Sequence, residues 1–160
     1  MQKLSQEELN ERIAVLRRFR TLLEQQRAKF AEYLNVLEHQ EAKIYTEDAQ
    51  SLMNHTELEG QIVSSICSLQ KVIVPLKTMY EKERSFYSME DAVPVETIQK
   101  ELASLQQKVI TQNEKNRILL KSHLSQLRKQ IDGFSNPYRN AASVYARNTA
   151  TAGTRIAIEI

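Results

Sequence analysis

His55 and Glu59 stand four residues apart, one helical turn, and are the pair in this chain best spaced to share a ligand. A metal needs three or four such groups, and no second pair has matching spacing, so the two read as polar seam or solvated positions. His39, His55 and His123 each lack a glutamate three residues earlier, so the inward Glu-x-x-His pairs of di-iron bundles are missing. Cys67 has neither histidine nor a basic residue adjacent and reads as a small buried hydrophobe rather than a nucleophile. Gly60, Gly133 and Gly153 are too scattered to cradle a phosphate. No enzyme, cofactor or metal site is expected.

Bulk charge points away from nucleic acid. Twenty-two basic and twenty acidic residues among 160 leave a net charge of +2, too little for long-range steering. The densest basic cluster, Arg17, Arg18 and Arg20, is bracketed by Glu11 and Glu24 and reads as a solvated helix face. The longest apolar run, Val72 to Leu76, is far below the roughly 20 residues a membrane span needs. With a single cysteine and no apolar signal core in residues 1–10, a cytoplasmic location is expected, and the Asn54-His55-Thr56 triplet is a chance match to a glycosylation site.

These residues must be carried by long helices, because 3 Gly and 3 Pro leave little material for turns. Leu9, Leu16, Leu23, Phe30, Leu37 and Ile44 recur every seven residues, with Ile13 and Leu34 as a companion row, and predict a helix over about 5–45. Thr46 supplies a cap for a second helix from about residue 47, whose seam is Ile62, Ile66, Leu69, Ile73, Leu76 and Tyr80, with Pro75 inside it as a bend. Ser85 to Pro94 reads as the next connection, Ser88 and Asp91 forming a capping box and Pro94 fitting the opening turn of a third helix over about 95–132. Gly133 is placed as its C-terminal cap.

The expected fold is all-α: an elongated, antiparallel, coiled-coil-like bundle of three long helices over residues 1–133, followed by a flexible partner-binding tail, 134–160.

Two features invite a functional reading. Gln112, Asn113 and Asn116 interrupt the third seam and would weaken self-packing there, leaving Leu119, Leu120, Leu124, Leu127, Ile131 and Phe134 available to another molecule or to complete the bundle's own core. Tyr138 and Tyr145 lie in a polar tail with nothing nearby to bury them, which suits docking anchors. The alternating end, Ile156 to Ile160, has no assigned role.

The passage Val36 to Ile73, the third long helix, and a tail with Asn136-Pro137-Tyr138 and Ser143-Val144-Tyr145-Ala146 resemble the FlgN family of flagellar export chaperones. The resemblance implies a cytoplasmic chaperone that binds the C-terminal helical segments of the hook-filament junction proteins FlgK and FlgL and delivers them to the export gate protein FlhA. It maps substrate binding onto Leu119 to Phe134 and gate contact onto Tyr138 or Tyr145. A monomer is expected when the chain is free, without nucleic acid or membrane insertion. The alternative is a homodimeric coiled-coil scaffold or tether whose first helix pairs with its twin.

Overall fold

The computed structural model describes residues 4–46 and 48–133, and among these all regular structure is helical. Helix α1 spans Gln6–Lys43, α2 spans Ala49–Glu83, a single 3-10 turn covers Arg84–Phe86, and α3 spans Met89–Gly133. The three-helix all-α architecture expected from the heptads is the one observed. The chain divides into two compact units, residues 1–123 and 124–160. Phe134, Tyr138, Tyr145 and the rest of 134–160 lie outside the described residues.

Each helix begins where a short polar side chain can satisfy its first free amides. The Ser5 hydroxyl accepts from the Glu8 amide at 3.2 Å, while the Glu8 carboxylate accepts from the Ser5 amide at 2.9 Å. The cap of α2 is Asp48, accepting from the Ser51 amide at 2.8 Å, and not Thr46. Thr46 instead closes the turn after α1, donating backbone and side chain to the Lys43 carbonyl. The Asp48 carboxyl is held below the usual carboxylate range by those bonds from Ser51.

The Ser88 and Asp91 pair caps α3 as expected, with Asp91 N donating to Ser88 Oγ at 3.2 Å. Because that cap is used, α3 opens at Met89 rather than near Val95, and Pro94 sits inside the helix instead of at its mouth. Gly133 is still helical, without the positive φ of a left-handed cap. Pro75 does not end α2 either. Its missing amide frees the Lys71 carbonyl, and both residues lie on the exposed side, where water can take that carbonyl.

The heptad row of α1 is buried from Leu16 through Leu23, Phe30 and Leu37 to Ile44, with Leu9 38% exposed at the open end. Its companion row is Phe19, Gln26, Tyr33 and Gln40, and not Ile13 and Leu34, which are only half-buried. Two glutamines in that row hide it from an apolar count. On α2, Ile62, Ile66, Ile73 and Tyr80 are buried with Leu69 and Leu76 packed beside them. Aromatic rings close one end: Tyr80 lies 5.4 Å from Phe19 and 5.7 Å from Tyr87, whose hydroxyl donates to the Arg12 carbonyl at 3.3 Å.

Helix direction follows from cross-helix bonds. Gln26 meets Gln70 while Gln40 meets Glu59, so α1 and α2 are antiparallel. Arg27 pairs with Glu101 and Glu41 with Lys115, so α3 runs parallel to α1. These ion pairs are largely exposed and add little stability; they mark register.

By length and composition α2 is also apolar enough to cross a membrane, since the stretch from Gly60 to Gln70 has no charge although no single apolar run is long. Its seam residues Ile62, Ile66, Ile73 and Tyr80 are buried in a core shared with α1, which carries Arg17, Arg18, Arg20 and Arg27. Cys67 lies on the exposed side of α2, not in the core.

Candidate functional site

The interruption at Gln112 and Asn116 is a filled polar layer. Asn116 continues the buried row Leu102, Val109 on α3 and is 1% exposed. Its Nδ2 donates to the Leu37 carbonyl at 2.7 Å and to Gln40 Oε1 at 3.0 Å, and its Oδ1 accepts from Gln112 Nε2 at 2.9 Å. Gln112 also donates to Glu41, which pairs with Lys115 at 2.5 Å. Bonds from Lys115 and Gln112 hold the Glu41 carboxyl below its ordinary range. A buried amide with all partners in place joins α3 to α1 rather than loosening it, which corrects the expectation of weak packing here.

Helix α2 contributes Glu59 to the same layer. Glu59 continues the row Tyr80, Ile73, Ile66 backward by one heptad and is 7% exposed. Burial pushes its carboxyl up, opposed by His55 one turn away and by a hydrogen bond with Gln40. Its Oε1 has no hydrogen-bond partner, and neither has the hydroxyl of Tyr33, which is fully buried on α1. Burial, reinforced by the Glu59 charge, pushes the Tyr33 hydroxyl up to about 12. Tyr33→Phe removes that orphaned hydroxyl without changing shape and is therefore expected to leave stability unchanged or raise it by about 1 kcal/mol, as measured by urea unfolding.

Among the described residues no three His, Cys, Asp or Glu side chains are grouped so as to hold a metal ion. A shallow groove between α1 and α3, lined by Leu34, Glu38, Ser104, Gln107, Lys108, Thr111 and Gln112, presents more apolar than polar surface and no nucleophile beside a base.

The residues singled out for partner binding fall into two groups. Leu119 and Leu120 are half-buried, just past the polar layer, where Tyr45 meets His123 edge to face at 5.0 Å. Leu124, Leu127 and Ile131 are 59%, 41% and 69% exposed on the last turns of α3. An apolar row at helical spacing in water is a surface that another helix can cover.

Over 132 residues the chain is 36% identical to an uncharacterized protein of Treponema pallidum (strain Nichols), a match covering 82% of each chain. The chain belongs to that protein's family. A match of such length takes in parts of all three helices, so this family shares more than one heptad stretch. No protein-family model and no solved structure matches the chain.

Residue type and spacing do not mark Tyr33 or Gln40 for function, and they mark Glu59 only as half of an incomplete metal pair. Glu59 and Asn116 are legible as polar members of otherwise apolar heptad rows; Gln40 and Tyr33 become so only once the companion row of α1 is located.

Proposed function

We propose that the protein is a cytoplasmic export chaperone of the FlgN type, holding the C-terminal helical segments of FlgK and FlgL and delivering them to FlhA. The observation that carries this reading is the exposed row Leu124, Leu127 and Ile131 on a helix whose earlier rows are buried. Client ends that later assemble as helical bundles are amphipathic and sticky before export, and an apolar helical face shields them without any reaction. Burying a few leucines at about 1.5 to 3 kcal/mol each offsets an ordering cost of several kcal/mol and leaves binding reversible, as delivery requires. Substrate binding is assigned to Leu119, Leu120, Leu124, Leu127, Ile131 and Phe134, and gate contact to Tyr138 or Tyr145.

A homodimeric scaffold is the second reading, favoured by Leu58, Val72 and Met79, exposed on α2 at multiples of seven residues. Light scattering behind size exclusion separates the two. A monomer that shifts to a one-to-one complex with the C-terminal segment of a hook-filament junction protein supports the chaperone; a stable dimer indifferent to that segment overturns it.

A further inference from the structure

Between residues 50 and 58, α2 buries nothing: Ser51, Leu52 and His55 are half-buried, and Met53 and Leu58 are exposed. From residue 50 onward Glu59 is the first buried side chain of the helix, followed by Ile62. The first turns of α2 therefore hang on a carboxyl group placed where the rest of its row is apolar. One of its oxygens is orphaned, and the Tyr33 hydroxyl across the interface is orphaned too.

We propose that Glu59 is a proton-operated anchor: with its carboxyl neutral the first three turns of α2 stay seated on α1, and ionisation releases them. The neutral acid is cheap to bury and carries a proton to donate; the carboxylate must give up water for the partial compensation of Gln40.

The groups facing it decide the balance. From α1 these are the neutral Gln40 and the protonated Tyr33, neither of which brings positive charge. Glu41, bonded to Gln112 in the same layer, is paired with Lys115 of α3, while Asn116 of α3 is neutral. His55, on α2 itself and one turn away, favours the charged form of Glu59 and so opposes release. Because burial raises the proton affinity of Glu59 in the folded state, its contribution to stability is complete below the ordinary glutamate range. It is lost as pH rises through the folded value. The Asp48 cap works in the opposite sense, failing only in acid below about pH 4, so the two do not overlap.

Amide hydrogen exchange, corrected for intrinsic rates, tests this on the full chain. Protection of residues 51–61 is expected to fall as pH rises from 4 to 8, while residues 66–80 hold theirs. Glu59→Gln, isosteric and uncharged, should abolish the fall; His55→Gln should keep it. A flat wild-type profile, a fall that survives in Glu59→Gln, or one that vanishes only in His55→Gln overturns the proposal. A carbon-13 titration of the Glu59 carboxyl in the unsubstituted chain needs no variant at all: a midpoint above that of ordinary glutamate is expected, and one at or below it also overturns the proposal.

Discussion

Asn116→Asp is expected to destabilise the protein by about 3 to 5 kcal/mol at pH 7, the usual cost of an uncompensated buried charge. The substitution is isosteric, so no cavity forms and packing is unchanged. What changes is the Nδ2 group, which now donates to the Leu37 carbonyl and to Gln40 Oε1. A carboxylate there sets oxygen against oxygen at 2.7 and 3.0 Å in a site only 1% exposed. Rotating the Gln40 amide would supply one donor to the new carboxylate, at the expense of the hydrogen bond Gln40 makes with Glu59. Urea unfolding measures the loss. Since the folded state would favour the protonated acid, the deficit should shrink as pH falls from 7 toward 5. Asn116→Leu, which buries no charge, should cost clearly less. Equal losses for the two variants, or an Asn116→Asp loss indifferent to pH, would show that side-chain shape matters here and the polar layer does not.

The second large effect concerns binding. Leu124→Asp with Leu127→Asp should weaken association with the C-terminal segment of a hook-filament junction protein by at least about 100-fold in calorimetry. Two leucines at about 1.5 to 3 kcal/mol each amount to that ratio or more. Helical content should barely move, because both positions are exposed and aspartate inside a helix costs less than about 1 kcal/mol each. Affinity within twofold of the unsubstituted chain would remove these leucines from the binding surface. Wholesale loss of circular dichroism would instead make them core, against their exposure.

The seven-residue row of α1, and that of α2 from Ile66 to Tyr80, are legible because each buried position there is a large apolar side chain at fixed spacing, and the capping box of Ser88 with Asp91 because it is local. The companion row is not. Phe19, Gln26, Tyr33 and Gln40 lie three residues after the main row, Ile13 and Leu34 four after it, and hydrophobicity favours the wrong one. Gln26 is buried because Gln70 arrives from α2 to bond it, and Gln40 because Asn116 arrives from α3. Neither partner is within forty residues in the chain.

Helix number, the main apolar rows of α1 and α2 and the start of α1 were thus determined by the sequence alone, through periodicity and composition within a few residues. Which polar side chains are core was decided only by the tertiary structure. A polar group can be buried only where a partner from another helix satisfies it, and partners are set by the register of the packed helices, not by anything adjacent in the chain. The same physical reason turned an apparent weak point at Asn116 into a joint, and put Glu59, on sequence only half of an incomplete metal pair, among the buried side chains of α2.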